Sequence, residues 1–190
     1  LPVIEHLAKQ TDHVLLGGAL ATTFLAAHGM QVGRSVYDQD GISVIQALPK
    51  TLQNNIMLPS DVVVTSSLRK DAKTRVVDVD SVGSRDRIVD IGSKTREQYA
   101  TVIAQAKTIV WNGPLGYCEV NAFCEGTMQI AKAIAKRTGA ATTIVGGGDT
   151  GPVLEKLKLA DQFTLLSTGG GALLDYLAGA PMPGLEPLFE

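Results

Sequence analysis

One unit recurs along this chain and constrains its fold more than any other feature: a short apolar strand, a glycine turn, then a helical stretch. "HVLLGG" leads into "ALATTFLAAHG", and "SRDRIVDIG" into "SKTREQYATVIAQA". "KTIVWNGPLG" leads into "NAFCEGTMQIAKAIAKRTG", "ATTIVGGG" into "DTGPVLEKLKLA", and "QFTLLSTGGG" into "ALLDYLAG". Successive strand–helix units at this spacing imply right-handed βαβ crossovers and a parallel sheet. The strands are apolar without interruption, which fits a doubly wound sheet covered by helices on both faces, a three-layer α/β/α domain. With 190 residues, 45% of them hydrophobic, the chain has ample material for one such core.

Between these units the pattern loosens. "NIMLPSDVVVTS" is interrupted by Pro59 and reads as two short strands or one bent strand. "TRVVDVD" alternates and reads as an edge strand. The stretch from Gln39 to Ser84 is the least regular, with a helix expected around Ile42 to Leu52, and pattern alone gives it no function. Ser93 or Thr95 is the expected N-cap of one helix, and Asn121 lies near the start of the next. Gly29 and Gly139 mark helix ends.

Several functional classes recede on composition. The net charge of −2 gives no electrostatic support for nucleic-acid binding. No apolar run approaches a membrane span and no signal peptide is visible, so no membrane partner is expected and the setting is read as cytoplasmic. His6, His13 and His28 are scattered and form no metal signature. Cys118 and Cys124 sit six apart without a metal-ligand pattern and read as reduced, semi-buried thiols.

The 20 glycines cluster at four places, Gly17-Gly18, Gly113 to Gly116, Gly146 to Gly148 and Gly169 to Gly171, each after an apolar run. In a doubly wound sheet, ligands bind beyond the carboxyl ends of the strands, so the architecture gathers the clusters on one rim. Gly146, Gly148 and Gly151 fit G-x-G-x-x-G, but the next strand ends in Ser167 and Thr168 rather than in the carboxylate a dinucleotide site needs. "DIGSKT" fails the P-loop spacing, because Ser93 separates Gly92 from Lys94. Asp149 beside bare amides at a helix start suits a carboxylate that holds Mg²⁺ on phosphate oxygens, with an ordinary N-cap as the open alternative. "STGGG" offers a second amide cradle. Asn112 is a candidate donor, and Glu119 could reach a ribose diol. Together these features describe a nucleoside polyphosphate site.

In their order and approximate separations, "VWNGPLG" with Glu119, "GGGDT" and "STGGGA" resemble the C-terminal, nucleotide-binding half of the phosphoglycerate kinase family. "LPVIEHL", "GGALATTFL", "HGMQVGRS", "LPSDVVV", "DIGSKT" and "LADQ" extend the likeness over nearly the whole chain. The resemblance implies a Rossmann-like domain, residues 1–190, of a two-domain kinase that moves a phosphoryl group between 1,3-bisphosphoglycerate and ADP, or 3-phosphoglycerate and ATP, in glycolysis. It implies Mg²⁺ as cofactor, a monomer, and a separate N-terminal domain that binds the phosphoglycerate and is absent from this chain. Asp149 would coordinate the Mg²⁺, Thr150 and Asn112 would contact the phosphates, and Glu119 the ribose hydroxyls. Gly17, Gly18, Gly92, Gly113 and Leu115 would line the base and ribose pocket. Gly148 and Gly171 would offer amides to the transferring phosphoryl group. This chain departs from the family pattern at Ala19, usually glycine, and at Tyr117-Cys118, usually valine and phenylalanine. A stand-alone nucleotide-binding module without kinase activity is the competing reading.

Overall fold

β1 (Val14–Leu15) and β2 (Ile56–Met57) pair in parallel, Val14 opposite Ile56 and Leu15 opposite Met57. Alternate residues of a strand point to opposite faces, and here two separate cores claim them. Val14, Leu16, Ile56 and Leu58 pack with Ile4 of α1 (Pro2–Gln10), Phe24 of α2 (Gly18–Ala27) and Ile45 of α3 (Gly41–Gln46). Leu15 and Met57 turn the other way. They meet Tyr99 and Ile103 of α5 (Ser93–Gln105), Ile130 and Ile134 of α6 (Glu125–Ala135) and Leu154 of α7 (Gly151–Leu157). Helices therefore cover both faces, as the uninterrupted apolar strands require. The computed structural model describes residues 2–184; Leu1, which opens the LPVIEHL motif, lies outside them.

A second parallel ladder runs β6 (Thr108–Asn112), β7 (Thr142–Gly146), β8 (Leu165–Leu166), with β7 in the centre. Trp111 and Val145 from this ladder join the same core as Tyr99 and Ile130, so one apolar cluster ties the two parallel ladders together. Tyr99 is fully buried, and its hydroxyl lies 2.7 Å from the Leu16 carbonyl and 2.9 Å from that of Met57. It thus fixes the carboxyl ends of β1 and β2 immediately before the first glycine turn. α8 (Gly170–Leu177) follows β8 and packs on α1.

Residues 61–91 depart from a wholly parallel sheet. β3 (Asp61–Thr65) lies between β4 (Thr74–Asp78) and β5 (Arg87–Ile91) and is antiparallel to both. The cause is local: β3 and β4 are joined by a short loop with no helix to carry the chain back, so the second strand must return alongside the first. β4 is an edge strand, as its alternating pattern predicts. The expected helix over Ile42 to Leu52 is split into α3 and α4 (Lys50–Gln53), with Pro49 as the N-cap residue of the second. Among the described residues no helix is long and apolar enough to cross a membrane.

Two helix starts differ from the sequence reading. The N-cap residue of α5 is Gly92, not Ser93 or Thr95, and it makes no side-chain cap. The acceptor comes instead from β3. The Asp61 carboxylate accepts the amides of Lys94 (3.1 Å) and Thr95 (2.8 Å) and the Thr95 hydroxyl (2.7 Å). Burial pushes this carboxyl upward, but the Thr95 and Lys94 donors outweigh burial and hold it below its ordinary 3.8. α6 repeats the device. Asn121 lies in a separate turn, Asn121–Phe123, and the cap acceptor is Asp90 of β5, which takes the Gly126 amide at 2.7 Å.

Asp61→Asn should cost about 2 kcal/mol of stability at neutral pH, because a buried donor loses its charged acceptor. The sign with pH follows from the depressed folded value. The contribution is complete above 3.8 and is lost as the pH falls through the lower folded value. Urea unfolding at neutral and acidic pH should therefore show the wild type losing more stability on acidification than Asp61→Asn.

Candidate functional site

The four glycine clusters meet, and backbone contacts make the meeting. The Gly18 amide donates to the Leu115 carbonyl at 2.9 Å, and a methyl group on Gly17 would stand 2.7 Å from Leu115 Cβ. That joins the first cluster to the second. The Gly113 amide donates to Thr150 Oγ1 at 3.2 Å, and that hydroxyl donates to the Gly146 carbonyl at 3.1 Å. That joins the second to the third. A methyl on Gly170 would lie 2.8 Å from Gly147 Cα, which joins the third to the fourth. Gly147 and Gly113 both have positive φ, +93° and +81°, a region that a β-carbon disfavours. The result is one rim at the carboxyl ends of β1, β6, β7 and β8.

Asn112, Glu119 and Asp149 are exposed and make no side-chain hydrogen bond among the described residues, and the same holds for Thr168 after β8. Asn112 ends β6, and its Oδ1 would be 3.0 Å from a methyl on Gly146. Glu119 lies in the turn after Gly116. Asp149 precedes α7, whose N-cap residue is Thr150 with no side-chain cap bond, so Asp149 is not serving as an N-cap. Gly148 and Gly171 are exposed, and a methyl on either would meet nothing within 4 Å. Space therefore exists for a ligand to approach both backbones.

Other candidates are placed differently. Thr150 is fully buried, with its hydroxyl engaged between Gly113 and Gly146 rather than turned toward the rim surface. Gly92 is buried under Asp61, where a methyl would overlap the carboxylate that starts α5. Leu115 is buried and faces Gly17. Ala19 is exposed on the first turn of α2. The cysteines are not reduced thiols: Cys118 and Cys124 form a disulfide, with Cα atoms 4.5 Å apart. The turn over Asn121–Phe123 folds the intervening residues back and brings the two together.

Behind the rim lies a residue the sequence reading missed. Asp90 is buried beneath Gly116 and Gly126, where a methyl at either position would collide with its carboxylate. Burial raises its carboxyl to about 7, against the amides of Gly126 and Ile91 that favour the anion. The hint in the sequence is an acidic residue inside an otherwise apolar strand, "RIVDI".

As for metal, the described residues contain no group of three or more His, Cys, Asp or Glu that could cage an ion. A lone exposed carboxylate beside open backbone nonetheless fits Mg²⁺, which keeps most of its ligands as water and substrate oxygen.

Comparison with known proteins gives a consistent result. The family profile described as phosphoglycerate kinase matches residues 1–180. A curated phosphoglycerate kinase of Chlorobium phaeobacteroides is 43% identical over 99% of this chain and 48% of its own length. One from Coxiella burnetii is 42% identical over 99% of this chain and 48% of its own length. The solved structure of phosphoglycerate kinase from Coxiella burnetii superposes with a TM-score of 0.92 at 41% identity, covering 99% of this chain and 49% of that one. That of phosphoglycerate kinase from Pyrococcus horikoshii gives 0.84 at 30% identity, covering 98% and 48%. The chain spans about half the length of the relatives it matches.

The buried and exposed positions of the β7–α7 turn should separate in mutagenesis. Thr150→Val removes both bonds of the Gly113–Gly146 clamp and should lower stability by about 1–3 kcal/mol. Asp149→Ala removes no internal bond and should leave stability within about 0.5 kcal/mol of wild type. Thermal unfolding of the two variants is the check.

Proposed function

The chain belongs to the phosphoglycerate kinase family, and from that premise we propose that it holds the adenine nucleotide, as MgADP or MgATP, on the glycine rim. The reaction it serves is reversible phosphoryl transfer between 1,3-bisphosphoglycerate and ADP, giving 3-phosphoglycerate and ATP, in the cytoplasm. One observation carries this reading. Asn112, Glu119 and Asp149 are exposed and unpartnered among the described residues, in turns whose backbone is open at Gly113, Gly148 and Gly171.

Each group has a physical task. Gly17, Gly18, Gly113 and Leu115 form the apolar, closely packed floor on which base and ribose rest. Glu119 accepts the ribose hydroxyls. Asn112 donates to the phosphates. Asp149 would hold Mg²⁺, which would neutralise charge on the phosphate oxygens when bound. The amides of Gly148 and Gly171 face the transferring group and stabilise charge as it spreads over the equatorial oxygens. Thr150 acts from behind. Its clamp on Gly113 and Gly146 sets the position of Asp149 and of the β6–α6 turn, making it a positioning residue. Gly92 contributes by letting Asp61 start α5.

Calorimetry of the chain with MgADP should show weak binding, and Asp149→Ala should reduce the affinity for MgADP much more than that for metal-free ADP. Equal losses with and without metal would contradict the assigned metal role. A folded sample with no heat at millimolar MgADP would count against the nucleotide site itself.

Turnover is a separate matter. The relatives are about twice as long as this chain, and the family resemblance puts the phosphoglycerate on the other half. In-line transfer needs both substrates held together with water excluded. A coupled assay of the chain alone should therefore show no useful ATP formation from 1,3-bisphosphoglycerate. Turnover matching an intact family member would overturn this division of labour.

A further inference from the structure

The disulfide sits against the proposed site. Cys118 and Cys124 close a loop whose first intervening residue is Glu119. Backbone bonds made by the loop are local: the Val120 amide donates to Tyr117, just before the loop, at 3.2 Å, Phe123 to Val120 at 2.8 Å and Cys124 to Asn121 at 3.3 Å. Outside it, Tyr117 donates to Val89 at 2.8 Å, and Lys156 reaches the Asn121 side chain at 2.8 Å. Neither bond holds Glu119 directly. Glu119 is flanked by Cys118, held by the disulfide, and by the buried Val120, while the buried Phe123 anchors the far side of the loop.

The bond also reaches the pocket floor. Thr127 Oγ1 lies 3.3 Å from Cys118 Sγ, and a disulfide sulfur has no proton to give, so the hydroxyl donates to it. The same oxygen accepts the amides of Leu115 (3.0 Å) and Gly116 (3.3 Å). Leu115 in turn packs on Gly17 and receives the Gly18 amide. On the other side, Cys124 is the N-cap residue of α6, two residues before the Gly126 amide held by Asp90. One covalent bond therefore borders the proposed ribose carboxylate, the pocket floor and the start of a core helix. Cys124 is 4% exposed, whereas Cys118 is only half-buried, so a thiolate reaches Cys118 Sγ first.

We infer that the Cys118–Cys124 disulfide is a reversible redox staple that sets nucleotide affinity by holding Glu119 and the Leu115–Gly116 turn in place. The inference rests on the nucleotide reading above. Its chemical partner is a dithiol. One thiolate of the dithiol attacks Cys118 Sγ, the S–S bond breaks, and Cys124 leaves as a thiolate and takes a proton. The second thiol of the dithiol then attacks the mixed disulfide and releases Cys118, which also ends as a thiol. Two electrons and two protons pass to the protein, and the dithiol becomes a disulfide. With the staple open, Glu119 must be ordered at the moment of binding, which lowers affinity.

The test uses the whole chain, fully oxidised or reduced with dithiothreitol, and reads two quantities. Calorimetry gives MgADP affinity, and hydrogen exchange with mass spectrometry gives protection of residues 116–124. The oxidised form should bind roughly three- to tenfold more tightly and exchange more slowly in that segment. The double variant Cys118→Ser, Cys124→Ser should match the reduced form and ignore dithiothreitol. Equal, measurable MgADP affinity in the two forms would overturn the proposal, whatever the exchange shows. So would two freely alkylated thiols in a sample equilibrated with excess oxidised glutathione. Slower exchange in the oxidised form with no MgADP binding in either would keep the staple and overturn the nucleotide reading instead.

Discussion

Close approach of bare backbone governs the site end of this molecule. Gly170 against Gly147 and Gly17 against Leu115 are separations at which a single methyl group would overlap its neighbour. Such contacts let four strand ends converge on one rim, and they leave amides and a few polar tips, rather than bulky side chains, facing outward. The cost is local weakness, because glycine turns have little side-chain packing of their own. Fixed groups beneath the rim offset it. The Thr150 hydroxyl ties the β6 and β7 turns together, and Tyr99 secures the ends of β1 and β2.

Buried carboxylates extend the same logic to the helices. α5 and α6 both begin without a cap from their own sequence, and both take an aspartate from a strand: Asp61 from β3, Asp90 from β5. Strand and helix are thereby locked in register by charge-assisted bonds rather than by packing alone. The two carboxylates differ in kind. Asp61 has three donors, which hold its carboxyl low despite burial, whereas the two amides on Asp90 do not offset burial and its carboxyl is raised. Gly92, Gly116 and Gly126 are small because these carboxylates occupy the space a side chain would need.

Much of this was legible in the sequence because it is periodic or punctuated. The strand–glycine–helix units, the edge position of "TRVVDVD" and the division at Pro59 all follow from local pattern, as does the gathering of the glycine turns on one rim. What escaped depends on contacts between distant residues. The capping of α5 by Asp61 spans more than 30 positions, so the local candidates Ser93 and Thr95 looked sufficient. The antiparallel return of β4 turned on the absence of a helix in an irregular stretch. The cysteine pair was misread because a spacing of six has no signature of its own; the turn at Asn121–Phe123 makes it a bridge. Thr150 belongs to the same class, since nothing in "GGGDT" says that its hydroxyl faces inward.

The central claim is that the rim, with Asp149 beside it, receives the metal and phosphates of an adenine nucleotide. Amide NMR of the isotope-labelled chain with ADP and Mn²⁺ in place of Mg²⁺ tests this most directly, because the paramagnetic ion broadens only nearby resonances. The account predicts that signals of Gly148, Asp149, Thr150 and Gly171 vanish first, while those of β4 and α1 persist. Broadening centred elsewhere, or none that requires ADP, would contradict it.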